Sequence, residues 1–301
     1  MPEMIRIKSL TKDYGNGRGI FDFDISIQEG EVYGLVGTNG SGKTTTMRHL
    51  MGYLTPDKGD CSIGGLDCRT KAHVIMKHVG YVPGQIDFPD IGSGTDFLKV
   101  QAQYLGIRDM NYTNELIDRF KIDTSAPLRR MSKGMKQKMA IVAAFMSKPD
   151  VLLLDEPSTG LDPVMRDELI DLILEQKHRG ATVFMSSHIF KELEDTCDKV
   201  TFIHNGKIAD TIGRDLHKPE MPAMYRLGFA RKDQYCEFME RFDTMIESRN
   251  DDYLHLNVMI PEDRINEFIG IISAYDMRYI RFMPYTLEMY YKKYIENGGA
   301  A

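Results

Sequence analysis

The stretch Gly37-Thr38-Asn39-Gly40-Ser41-Gly42-Lys43-Thr44 fits the pattern G-x-x-x-x-G-K-[ST] and constrains the fold more than any other part of the chain. The pattern works as a phosphate cradle only between a strand and a helix. Glu31–Val36 reads as a short apolar strand, and Thr45–Met51 reads as the first turns of a helix. The glycines let successive backbone N–H groups turn inward toward oxyanions, and the helix N-terminus adds a positive dipole end at the same place. On this logic Lys43 is expected to reach the β- and γ-phosphates of a nucleotide, and the Thr44 hydroxyl to ligate Mg²⁺.

Bulk properties narrow the surroundings of such a site. A chain of 301 residues can hold one large or two smaller cores. Its net charge of −6 gives no overall basic field, so a nucleic-acid partner is not expected. No apolar run approaches the roughly 18 residues that span a bilayer, and Met1–Arg6 lacks the basic and apolar regions of a signal peptide. A membrane role is therefore expected to come through a partner. Cys61, Cys68, Cys197 and Cys236 have no metal-type spacing and are expected to be reduced thiols.

Along the chain, Ile5 and Ile7, then Phe21, Phe23, Ile25 and Ile27, fall on every second position, which predicts an antiparallel sheet ahead of the P-loop strand. Tyr14 lies at the end of the first of these strands, where a ring could stack on a purine or pack on the sheet rim. A short strand pair is expected about Gly64-Gly65, a helix near Lys71–Lys77 and a strand at Val79–Val82. From Gly94 to Met146 the spacing turns helical, with Phe97, Val100, Gln101 and Tyr104 on one stripe and Leu116, Ile117 and Phe120 continuing it. This predicts a helical insertion on an α/β core. Ser132 is placed to cap a helix running to about Met146, and Ser132 with Gly134 would make a second anion-binding helix end.

Val151–Leu154 is the kind of run found in buried parallel strands, and it ends at Asp155-Glu156-Pro157. Carboxylates at the C-terminal end of such a strand face the ligand crevice of an open α/β sheet. Asp155 is suited to hold Mg²⁺ through water, and Glu156 to polarise an attacking water. A further strand, Ala181–Ser187, ends at His188, which can hydrogen-bond a γ-phosphate.

Taken together, these pieces resemble the nucleotide-binding subunit of an ATP-binding cassette (ABC) transporter over about residues 4 to 212. Tyr14 stands at the aromatic-loop position, residues 37–44 are the P-loop, and Gln85 follows Tyr81-Val82-Pro83. Met131–Gln137 matches the family signature, Ser158–Asp162 the D-loop and His188 the switch histidine. Two departures stand out. Met131-Ser132-Lys133-Gly134-Met135 replaces the usual Leu-Ser-Gly-Gly-Gln, a variant similar to exporter ATPases for antibiotics, lipids or peptides. Gly84 also separates Pro83 from Gln85, where family members usually carry Gln straight after the proline.

The resemblance implies a P-loop NTPase core with an antiparallel β subdomain and a helical subdomain about 88–148, all within residues 1–214. It implies ATP and Mg²⁺ as cofactors. Lys43, Glu156 and His188 would be catalytic, with Thr44, Gln85 and Asp155 toward the metal. Tyr14, Gly37 to Thr45 (Thr38, Asn39, Gly40, Ser41 and Gly42 included), Ser132, Gly134 and Asp162 would contact nucleotide. It also implies a second ATPase subunit in a head-to-tail dimer, with each ATP held between one P-loop and the other signature. A permease on a separate chain would hold the assembly on the cytoplasmic face of the membrane.

Residues 215–301 fall outside that core. Tyr225, Leu227 and Phe229 alternate, as do Leu254, Leu256, Val258 and Ile260, while Tyr235–Phe242 and Ile265–Ile272 keep helix spacing. With Met277–Met283 this predicts a small α+β domain of β-α-β-β-α-β order, then a helix at Leu287–Ile295. It carries no catalytic constellation and reads as a structural appendage. Two other functions compete with export. A soluble cassette ATPase on ribosomes or DNA would usually pair two cassettes or carry a long coiled coil, and here there is one P-loop and no sustained heptad. A small-molecule P-loop kinase would leave residues 131–137 without a purpose.

Overall fold

Strand Val32–Gly37 is buried at every position and lies inside a six-stranded sheet. Thr182–Ser187 pairs with it on one side and Lys199–His204 on the other, both parallel. Beyond Thr182–Ser187 come Val151–Asp155 and then Val79–Val82, again parallel, while Lys207–Gly213 closes the opposite edge antiparallel. Runs as apolar as Val151–Leu154 suit a sheet covered on both faces, because neither side of the strand meets water. Parallel pairing also sends strand ends out together. Val36 lies opposite Ser187, and Ser186 opposite Asp155, so three chain segments leave the sheet side by side at one edge.

The computed structural model describes residues 2–213, 223–283 and 286–292. It divides into two compact units, Met1–Arg214 and Asp215–Ala301. In the first unit, a four-stranded antiparallel sheet carries Gly19–Gln28, Glu3–Asp13, Lys58–Ile63 and Leu66–Asp67 in that order. Its buried residues do not all follow the expected alternation. Ile20 is buried where Phe21 was predicted, because Asp22 takes a positive φ of 56° and the register shifts along the pair. A β-bulge adds one residue and so moves the inward face by one position.

The helical insertion consists of helices Gly94–Leu105, Asn111–Arg119 and Lys133–Phe145. Ser93 caps the first through a capping box with Asp96. The buried face of that helix is Gly94, Leu98 and Ala102, not the predicted stripe, since Val100 and Tyr104 are exposed. Phe97, Gln101 and Tyr104 instead line a cavity of about 280 Å³, along with Tyr53, Tyr81 and Phe88.

The second unit has the order β-α-β-β-α-β: strands Ala223–Phe229, Ile246–Asn250, His255–Ile260 and Met277–Met283, with helices Lys232–Arg241 and Ile265–Ile272. All three strand pairs are antiparallel. Its core joins Leu227, Phe229, Phe238, Leu256, Val258 and Phe268. The edge strand Ile246–Asn250 offered no alternation to read, because four of its five residues are exposed. Of the predicted helix Leu287–Ile295, the stretch Leu287–Tyr290 is helical, and residues from 293 on lie outside the described residues.

Candidate active site

The helix Lys43–Leu50 begins at Gly42, whose φ is 118°. A Cβ there would stand 2.3 Å from Ile20 Cγ2, so both backbone angle and space require glycine. The first turn therefore opens its N–H groups toward a cavity of about 210 Å³, lined by Asn39, Gly40, Gly42–Thr45 and Glu156. Ser41 Oγ is buried in the same loop without a hydrogen-bond partner among the described residues. Lys43 is 6% exposed. Its Nζ donates to Gly37 O at 2.8 Å and stands 3.3 Å from Glu156 Oε1. That second approach is not aligned as a hydrogen bond, so it is an ion pair alone.

Asp155 ends its strand with no exposed surface, and Ser186 Oγ donates to its Oδ1 at 2.7 Å. Asp155 Oδ2 is buried without a hydrogen-bond partner among the described residues. Burial first, and then the Asp155 charge, push the phenol of Tyr81 on the adjoining strand up. Glu156 turns away from the strand with a left-handed φ of 51°. Holding a non-glycine residue there costs about 1–3 kcal/mol and is typical of functional loops. Its N–H donates to both Ser186 O and Ser186 Oγ at 3.1 Å, which fixes the turn. His188 sits one residue past Ser187 and meets Glu156 Oε2 twice, by its ring Nδ1 and by its backbone N–H at 3.3 Å. Lys43 at the start of its helix, Glu156 just past its strand and His188 just past the neighbouring one thus form one chain of contacts. Ammonium, carboxylate and imidazole in this order can bind phosphate and move a proton from water.

The remaining predicted residues do not line this cavity. Tyr14 follows the strand Glu3–Asp13, is 54% exposed, and donates its N–H to Arg18 O at 2.8 Å. Gln85 is exposed; it is Gly84 whose Cα faces Asp155, with a Cβ there falling 2.7 Å from Oδ2. Ser132 and Asp162 each cap a helix, accepting from Met135 N and Met165 N. Gly134 lies against the turn before Asp162, where a Cβ would be 2.8 Å from Gly160 O, and Gln137 Nε2 donates to Pro157 O at 2.7 Å. Ser132, Gly134 and Asp162 therefore form a second group, none of which lines the cavity at the P-loop.

Ser186 and Gln137 were not singled out from the sequence. Two serines closing an otherwise apolar buried strand were the available signal for Ser186, and Gln137 entered only as the last residue of the signature stretch Met131–Gln137.

A family model described as ABC transporter matches residues 20–159. The bacitracin transport ATP-binding protein BcrA of Bacillus licheniformis is 30% identical over 99% of this chain and 99% of its own length. The Nod factor export ATP-binding protein I of Ralstonia nicotianae is 30% identical over 68% of this chain and 65% of its own. A solved structure described as the ATP binding subunit of an ABC transporter is 30% identical, with a TM-score of 0.65 over 70% of this chain and 90% of that one.

Proposed function

The chain belongs to the ATP-binding proteins of ABC transporters, and we propose that it hydrolyses ATP in a head-to-tail dimer to drive export through a separate membrane permease. The observation that carries this reading is the contact chain from Lys43 through Glu156 to His188 beside the P-loop cavity. In this reading Lys43 offsets phosphate charge, and the γ-phosphate competes with Glu156 for its ammonium group. Glu156 Oε1, released from that pair, accepts a proton from the attacking water, while His188 keeps Oε2 oriented.

Mg²⁺ fits the residues present. Asp155 Oδ2 is a buried carboxylate oxygen with no hydrogen-bond partner among the described residues, and Thr44 borders the cavity. No group of three or more His, Cys, Asp or Glu side chains gathers among the described residues to cage a metal, which suits an ion shared with phosphates. Thr44 and Asp155 would hold it, with Gln85 as a further candidate, and it would neutralise charge on the phosphate oxygens.

Two features support the assembly. Ser132, Gly134 and Asp162 group away from the P-loop cavity, as expected of residues that serve the ATP of a partner subunit, with Tyr14 left to stack on adenine. The aromatic-lined cavity beside the helical insertion, where Tyr53 and Tyr104 are 56% and 66% exposed, suits an apolar segment of a permease. No helix among the described residues is long and apolar enough to cross a membrane, which is compatible with a permease on a separate chain; in this reading the present chain sits on its cytoplasmic side. Two relatives that match along nearly the whole chain carry bacitracin transport in their names, which supports bacitracin or a similar compound as cargo.

Glu156→Gln tests the reading. Hydrolysis should fall by about 10²–10⁴-fold, and light scattering should find a dimer with ATP–Mg²⁺ but not with ADP–Mg²⁺. Normal turnover would remove Glu156 from its role. A dead enzyme that stays monomeric in saturating ATP at high protein concentration would overturn the sandwich.

A further inference from the structure

Glu192 is a carboxylate that the reaction above does not use, yet it is only 2% exposed. A charge is buried at a cost that only close partners repay, so those partners indicate what it holds. Ser187 Oγ donates to Glu192 Oε2 at 2.8 Å. The same hydroxyl accepts from Ile189 N at 2.9 Å, and Glu192 N donates to Ile189 O at 3.2 Å. These three bonds close a loop around the one residue between Ser187 and Ile189, which is His188. On its other side Glu192 Oε1 lies 3.2 Å from Arg166 Nε. The geometry there is an ion pair and not an aligned hydrogen bond. Arg166 sits on the helix Pro163–His178, whose N-cap is Asp162.

We infer that Glu192 is a positioning residue for His188: it clamps the turn that presents the histidine to Glu156, and through Arg166 it ties that turn to the helix that begins at Asp162. This rests on the role proposed above for His188. The clamp acts on the backbone of the turn, so it fixes the direction of both the His188 ring and the His188 N–H that meet Glu156 Oε2. Displacing Asp162, as a partner subunit would, moves the same helix that carries Arg166. The pair therefore transmits a change at the subunit boundary to the histidine.

A double-mutant cycle on the full chain separates this from a general loss of structure. Glu192→Ala should lower kcat for ATP by about 10- to 100-fold, the scale of a misplaced group. KM, and ATP affinity measured by direct titration, should stay within about twofold because the cradle is untouched. Ser187→Ala, a smaller change that guards against misfolding, should reproduce the direction of this effect. Glu192→Gln should recover most of the turnover lost in Glu192→Ala, since its amide oxygen still accepts from Ser187. Combined with His188→Ala, Glu192→Ala should add no further loss, because its effect passes through the histidine. Multiplying losses in the double variant, or ATP affinity falling in step with kcat, would overturn the inference and leave the reading of His188 standing. Wild-type turnover in His188→Ala would sink that reading and the inference together.

Discussion

His49 is 1% exposed at the end of the P-loop helix, and its Nδ1 lies 2.8 Å from Thr45 O. The carbonyl accepts, so Nδ1 carries a proton. Nε2 is buried without a partner among the described residues, so a second proton there would leave an unpaired charged donor in the core. Burial accordingly holds the His49 pKa below its ordinary value, with the Thr45 bond opposing more weakly. The unfolded chain then binds a proton more readily than the folded one. The contribution of neutral His49 is complete above the unfolded value near 6.5 and is lost as pH falls below it. Thermal melts should show a lower Tm at pH 5.5 than at pH 7.5, and His49→Gln should flatten part of that difference. An identical pH dependence in the variant would remove His49 as its source. At this scale Lys43, Asp155, Glu156 and His188 were legible, because each stands at a strand end or in a phosphate motif. Glu192 was not, since an acid in a short helix reads as solvated until the fold shows what covers it.

Between elements, one close approach that bears on the second group of residues is that of the Lys133–Phe145 helix to the turn before Pro163. A methyl group at Gly134 would fall 2.8 Å from Gly160 O, and a backbone oxygen cannot swing aside as a flexible side chain can. Gly134→Ala should cost about 1–3 kcal/mol through the forced backbone shift, while leaving ATP binding at the P-loop unchanged. A melt and a nucleotide titration check both parts, and an unchanged Tm would mean that the two segments are free to separate. Elements were legible where one period ran unbroken, as in Val79–Val82 and Val151–Leu154. They misled where an apolar stripe faces a surface cavity and not the core, as Phe97, Gln101 and Tyr104 do. The bulge at Asp22 hid itself for another reason: its positive φ depends on pairing with a strand that the local sequence does not specify.

For the whole molecule, each unit has a core of its own, and every residue of the candidate site lies in Met1–Arg214. A fragment ending at residue 213 should therefore bind ATP with the affinity of the full chain, and a titration in which it fails to bind would show that the second unit is needed. The two-unit division was visible because the phosphate motifs stop while the alternation of strands and helices starts again. The sheet that carries the site has a further consequence, which concerns the ribosome. Both neighbours of the P-loop strand come late in the chain: Gly30 bonds to Thr182, 152 residues on, and Val32 to Asp198, 166 residues on. Synthesis at about 5–20 residues per second makes that a wait of roughly ten to thirty seconds. Throughout it a finished P-loop sequence is an apolar strand with no partner, exposed to misassembly until the stretch through His204 emerges. The nascent chain thus carries its nucleotide motif long before it can use it, and the site cannot be complete until the last parallel strands close on the first.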